Sequence, residues 1–308
     1  MAKTAWRAAQ WILGLAVVGF AVRALARNWA EFRSQPLAFA PRPLYLVASA
    51  LLVWAMYALL VWAWLAVLRS WGQRLGPGTA ARIWTVSSLG KYVPGKVWAI
   101  AGMALMAQQA GVAAWAATGS AVVLQALAIG TGAAIVGLTG AVGLESAHPG
   151  ARAALGLLVL ASAAGVGLIL WPPAVRRLLR LARVPAEAAG APSPAAVLGG
   201  ILANAVAWVG YGGALWLLAR GLLPDVKLEI WTAVAVFTAS YLAGFLALLA
   251  PGGLGVREGL FILMLQQPIG IGAATALAVA SRLLLTLTEF GAAAPFLLLT
   301  RRSPRVAL

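Results

Sequence analysis

A break between two apolar runs constrains this fold more than any other feature of the sequence. Residues 251–259 read PGGLGVREG, and they lie between apolar runs at 230–249 and 260–265. Proline removes a backbone donor and glycine frees the backbone, so a helix must end here and a second one begin. In a bilayer such a break is tolerated only where the backbone is buried in protein or lines a wet cavity.

The composition places this break in a membrane protein. Hydrophobic residues make up 63% of the 308 residues and charged residues 10%, with a mean hydropathy of +0.92. Such a chain cannot coat a globule with polar side chains, and long apolar runs are typical of spanning helices. Cysteine is absent, which excludes disulfides and thiolate metal sites. The net charge of +16 lies largely in short loops, which is typical of membrane orientation and not of nucleic-acid binding.

We predict an all-α integral membrane protein, a single polytopic domain over 1–308 with eight hydrophobic segments. Two are re-entrant helical hairpins, at 80–109 and 230–267, because they are too short or too interrupted to cross. Two interpretations of residues 1–26 stay open, a retained helix or a cleaved signal peptide. Residues 171–194 form a basic linker. The six full spans are expected at 11–22, 44–68, 112–144, 153–170, 195–219 and 272–299.

The two halves of the chain look related. Pro94-Gly95 recurs at 251–252, Gln108-Gln109 at 266–267 and Gly111 as Gly270, all at a nearly constant spacing. We interpret this as an inverted repeat, 44–144 and 195–299, in preference to chance similarity in a limited alphabet. Placing most of the basic residues in the cytoplasm puts both termini and the linker there. The two hairpin tips then meet near the midplane.

Charged residues at membrane depth are the first part of the candidate substrate-binding site. Arg257, Glu258, Arg282 and Glu289 would each cost about 2.5–3.5 kcal/mol facing lipid, so we expect them to face inward. Arg282 and Glu289 are seven residues apart and share a helix face with Thr286. The alternative is that Glu258 pairs with Arg282, or Arg257 with Glu289, for structural reasons.

The two hairpin turns supply the rest of the candidate site. Lys91 and Lys96 flank Gly95 in the first turn, and Gly252 and Gly253 lie in the second. The helix that follows each turn begins with free N–H groups that favour an anion such as a lipid phosphate. The alternative for the two lysines is snorkelling at the cytoplasmic surface. We assign no metal ligand and no catalytic residue. We interpret most of the tryptophans as an interfacial belt and give none of them a role in the site.

These stretches carry a family resemblance. KYVPGKVW at 91–98 and PGGLGVREG at 251–259, with Arg282 in the last span, resemble the signature stretches of the lysylphosphatidylglycerol synthase transmembrane family, also called flippase-like proteins. The resemblance covers nearly the whole chain. It implies an inner-membrane protein that moves lipids between leaflets: aminoacylated phosphatidylglycerol in fused synthases, and glycolipids, polyprenyl-linked sugars or hopanoids in stand-alone relatives. No aminoacyl-transfer domain follows Leu308, so we expect no lipid aminoacylation by this chain.

Three functions compete at this point. We favour a non-enzymatic, cofactor-free translocase that moves an anionic phospholipid, glycolipid or polyprenyl-phosphate-linked lipid across the cytoplasmic membrane. An intramembrane lipid-modifying enzyme is the first alternative, although its chemistry usually needs clustered carboxylates or a histidine base, and the seven acidic residues are scattered. The second is an accessory subunit of a lipid or glycolipid synthesis complex. A lipid synthase or glycosyltransferase is the expected protein partner, and the oligomeric state stays open.

Overall fold

The computed structural model describes residues 40–92, 97–143, 192–247 and 253–299, with the isolated positions 160, 164 and 177. Within these ranges all regular structure is helical, which confirms the predicted all-α class for the part described. A 3₁₀ turn, Leu89–Tyr92, directly follows the helix Pro77–Ser88. The eight α-helices in these ranges are α1 Pro43–Ser70, α2 Pro77–Ser88, α3 Val97–Gln109, α4 Ala114–Gly143, α5 Pro194–Leu222, α6 Ile230–Leu246, α7 Val256–Ile269 and α8 Ile271–Leu299.

Four of the described helices, α1, α4, α5 and α8, are long and apolar enough to cross a membrane. At about 1.5 Å per residue each exceeds the hydrocarbon core of about 30 Å. They coincide with the predicted spans at 44–68, 112–144, 195–219 and 272–299. The predicted spans at 11–22 and 153–170, and most of the linker, lie outside the described residues. The chain is therefore a multi-pass membrane protein.

The helix boundaries follow local chemistry. Proline occupies the first turn of α1, α2 and α5, where its missing N–H has no helical acceptor to lose. The Ser193 side chain accepts a hydrogen bond of 3.2 Å from the Ala196 N–H and so caps α5. Gly111 and Gly270 have φ of +89° and +80° and stand between α3 and α4 and between α7 and α8. Both positions are left-handed, which explains the glycines.

The helices α1 and α5 pack closely and run antiparallel. The start of α1 lies beside the end of α5, because Leu46 contacts Gly221 and the Arg42 N–H donates to the Gly221 carbonyl at 2.8 Å. Further along, Met56 contacts Gly210. The small residues of α5 thus bring the two backbones together. In the predicted inverted repeat α1 and α5 are counterparts, and counterparts in such a repeat must run antiparallel.

The other contacts between helices also correspond between the two halves of the chain. The helix α3 packs on α4 and α7 on α8, while α2 contacts α1 and α8, and α6 contacts α5 and α4. The Trp54 indole of α1 donates to the Thr288 carbonyl of α8 at 2.9 Å, and the Trp208 indole of α5 donates to the Ala128 carbonyl of α4 at 3.0 Å. This pattern supports the repeat hypothesis. The repeat, and the re-entrance of its hairpins, stay predictions.

Candidate functional site

A cavity of about 280 Å³ lies at the centre of the helices, and all eight described helices contribute to its wall. The wall contains five of the residues predicted from the sequence: Lys91, Gly253, Arg257, Arg282 and Glu289. Thr286 lies on the same wall, as the shared helix face predicted. The predicted residues Gly95, Lys96 and Gly252 lie outside the described part of the chain.

Gly253, shortly before α7 begins, lines this cavity together with Gly244 of α6. Gly253 has a φ of +69°, and a Cβ there would stand 2.8 Å from the Gly244 Cα and carbonyl oxygen. Both facts require glycine, because an L side chain would be strained in φ and would overlap the backbone of α6. The close approach directs the start of α7, and with it Arg257, towards the cavity.

Glu258 occupies the N-terminus of α7 with its own carboxylate. Its Oε2 accepts a hydrogen bond of 2.7 Å from the Gly255 N–H, and its Oε1 accepts one of 2.9 Å from Arg282 of α8. The side chains of Glu258 and Arg282 are 19% and 18% exposed. The pair of Glu258 with Arg282, one of the two structural alternatives, is therefore present. At this N-terminus the acceptor for the Gly255 N–H is the protein's own carboxylate and not a free anion.

Arg257 is the most deeply buried cation on the cavity wall, with 7% of the residue exposed. Its guanidinium donates to the Ser281 Oγ at 3.0 Å and lies 5.4 and 5.6 Å from the ring centroids of Phe237 and Tyr241. The alternative pairing with Glu289 is not formed, and within the described ranges no carboxylate lies at ion-pair distance from Arg257. Its remaining N–H groups are available to a ligand.

Glu289 is instead paired with Lys91, which lies in the 3₁₀ turn that follows α2. The Lys91 amine contacts the Glu289 Oε1. The Tyr92 hydroxyl donates to Oε2 at 2.8 Å, and the Tyr57 hydroxyl lies 3.4 Å from Oε1. Glu289 is only 5% exposed. The snorkelling interpretation is therefore wrong for Lys91, because its amine turns towards a buried carboxylate and not towards the surface.

A continuous wall of aromatic rings was missed by the sequence reasoning. Phe237 stacks on Tyr211 and on Tyr241 at centroid distances of 5.5 and 6.0 Å, and Trp208 meets Tyr241 edge-on at 5.6 Å. Trp208 is 6% exposed and lines the cavity, so the interfacial-belt interpretation is wrong for this tryptophan. The sequence did contain a signal for this wall, namely spacing. In α5 and in α6 two of these aromatic residues are three or four positions apart, which places them on one face of the helix.

These features define a multi-pass membrane protein with a cation-lined cavity to which all eight described helices contribute. A family model described as the lysylphosphatidylglycerol synthase TM region matches residues 8–288, so the chain belongs to this family. The match confirms the resemblance that the two signature stretches indicated, and it indicates a membrane role related to lipids. Among proteins with curated descriptions, none matches the chain.

Proposed function

We propose that this protein is a translocase for an anionic lipid in the cytoplasmic membrane. The observation that carries the proposal is Arg257, a buried guanidinium with uncommitted donors on the wall of a central cavity. A buried cation without a carboxylate partner is costly unless an anion joins it. Family membership supports a lipid as the molecule that brings that anion.

The cavity offers what a lipid headgroup needs in order to cross the hydrocarbon. A phosphate is too costly to move through lipid unaided, whereas a protein can offer a polar path and leave the acyl chains in the bilayer. The volume of about 280 Å³ is close to the lower end of the range of small-molecule pockets, so it suits a phosphate with a small headgroup.

The charged groups on the wall have distinct roles in this proposal. Arg257 binds the phosphate through the planar donor set of its guanidinium. Arg282, oriented by Glu258, contributes a second positive charge. Lys91 holds Glu289 neutralised, and rocking of one repeat against the other opens the cavity to each leaflet in turn.

The test is headgroup translocation in metal-free proteoliposomes. Purified protein is reconstituted with a headgroup-labelled anionic lipid, and an impermeant quencher reports label in the outer leaflet. We expect Arg257→Gln to slow translocation by about tenfold or more, since charge-assisted bonds to a phosphate contribute about 1.5–3 kcal/mol. Arg257→Lys, which keeps the charge and loses the planar fork, should retain part of the activity.

The matched control is Arg220→Gln. Arg220 is exposed at the end of α5, with its guanidinium 4.8 Å from the Trp216 ring centroid, and it does not line the cavity. The Arg220→Gln variant should translocate lipid at the rate of the parent protein. Parental activity in folded Arg257→Gln, or equal loss in both variants, would contradict the proposal. Chemical alteration of the lipid during the assay would favour the enzyme alternative instead.

A further inference from the structure

We propose that the cavity selects a lipid whose phosphate carries a neutral, hydroxyl-rich headgroup, and that it rejects headgroups bearing an ammonium group. The rejected class includes the lysyl ester of phosphatidylglycerol from which the family takes its name. This inference rests on the proposed function, because it names the substrate class of the same site. Three properties of the cavity lead to it: its charges, its aromatic faces and its uncommitted donors.

The charges leave no carboxylate for an incoming ammonium group. Arg257, Arg282 and Lys91 line the cavity, and Glu289 is the acidic residue among the described lining residues. Glu289 already receives the Lys91 amine and the Tyr92 hydroxyl. Glu258, outside the lining, is occupied by Arg282 and by the Gly255 N–H. An ammonium group would therefore meet an excess of positive charge, with no unpaired carboxylate among the described lining residues to offset it.

Two of the aromatic rings on the cavity wall are also engaged by the protein's own cations. Aromatic cages bind ammonium groups through the negative face of the ring. Here the Tyr241 ring has the Lys91 amine 6.0 Å and the Arg257 guanidinium 5.6 Å from its centroid. The Phe237 ring has the same guanidinium at 5.4 Å. A third cation over these rings would be repelled by the two already present.

The uncommitted groups of the wall suit a phosphate and a polyol. The hydroxyls of Tyr211 and Tyr241 have no hydrogen-bond partner in the part of the chain that the structure describes, and both residues line the cavity. Together with the Arg257 donors they can bind phosphate oxygens and headgroup hydroxyls. The stacked rings of Tyr211, Phe237 and Tyr241 present an apolar wall against which a glycerol chain or sugar ring can pack.

The test is a binding competition with the full-length protein in phosphatidylcholine nanodiscs. Phosphatidylglycerol and lysyl-phosphatidylglycerol with identical acyl chains compete, and native mass spectrometry counts the bound lipid. We expect phosphatidylglycerol to bind about tenfold more tightly or better. Equal affinity, or a preference for the lysyl ester, would overturn the inference. Glycerol 1-phosphate and inorganic phosphate should compete weakly; competition as strong as that of the lipid would identify a soluble phosphate ligand and also overturn it.

A single substitution should change the preference in the opposite direction. Lys91→Gln leaves the Glu289 carboxylate unpaired in the cavity, so it should move the affinity ratio by about tenfold towards the lysyl ester. Lys227→Gln, at an exposed position between α5 and α6, should leave the ratio unchanged. Lys91→Gln/Glu289→Gln, which removes both charges, should not show the shift. Retention of the parental ratio in folded Lys91→Gln would contradict the role assigned to this pair.

The binding test and the translocation test can contradict the selectivity and the proposed function separately. A preference for ammonium headgroups in a protein that still translocates lipid would overturn the selectivity alone. The expected preference in a protein that translocates no lipid would contradict the proposed function and leave the selectivity standing. If the Lys91 variants do not fold, the affinity ratio of the parent protein decides the question by itself.

Discussion

At the scale of single residues, Glu258 joins two helices through one carboxylate. One oxygen accepts the Gly255 N–H and the other accepts Arg282. Glu258→Gln should lower the free energy of unfolding by about 1.5–3 kcal/mol, because hydrogen bonds to a charged group are lost and Arg282 loses its counter-charge. Thermal unfolding in detergent measures this. The control is Glu229→Gln, an exposed residue at the N-cap of α6 whose side chain makes no capping bond.

A parental melting temperature in Glu258→Gln would show that the bridge contributes little. If the variant kept its stability but lost the pH dependence of transport, Glu258 would instead be a proton carrier.

Arg282 can be tested separately from its pairing with Glu258. Arg282→Glu should abolish translocation, because it places a second carboxylate on the wall of the cavity and repels the phosphate. Since that change also repels Glu258, the exchanged pair Glu258→Arg/Arg282→Glu should recover stability without recovering translocation. Flux and thermal unfolding are measured on the same preparations. Recovery of both properties would mean that Arg282 serves only to hold α7.

At the scale of the element, the break between α6 and α7 depends on glycine at one position. Gly253→Ala should destabilise the protein by about 2 kcal/mol or more, because it must accommodate a left-handed φ and a Cβ only 2.8 Å from the Gly244 backbone. Gly259→Ala, in the interior of α7 with no atom within 4 Å of the added Cβ, should be neutral or stabilising. Melting temperatures of the two variants make the comparison. A tolerated Gly253→Ala would argue against this close approach of the two segments.

At the scale of the whole molecule, the antiparallel packing of α1 and α5 predicts on which side each loop lies. The end of α1 and the end of α5 should face opposite sides of the membrane. With the basic loops inside, Arg74→Cys should be labelled by an impermeant thiol reagent only from the cytoplasm, and Lys227→Cys only from outside. Both positions are exposed, and the protein has no cysteine of its own. Labelling of both from one side would contradict the inverted arrangement.

The sequence by itself determined the class, four of the spans and the family. Helix breaks, apolar length and charge at membrane depth are local properties, so they could be interpreted without knowledge of any neighbour. Arg257, Glu258, Arg282 and Glu289 were predicted to face inward for this reason. The structure places three of them on the cavity wall and pairs Glu258 with Arg282. The pairing of Glu258 with Arg282 was one of two alternatives.

Only the tertiary structure decided which charges meet. Lys91 reaches Glu289 across 198 residues of sequence, and this leaves Arg257 without a carboxylate among the described residues. The aromatic wall depends in the same way on how α5 and α6 face each other, which brings Trp208 and Tyr241 together. The physical reason is that a membrane helix is apolar on every side, so its periodicity does not indicate which face turns to lipid and which to a neighbouring helix.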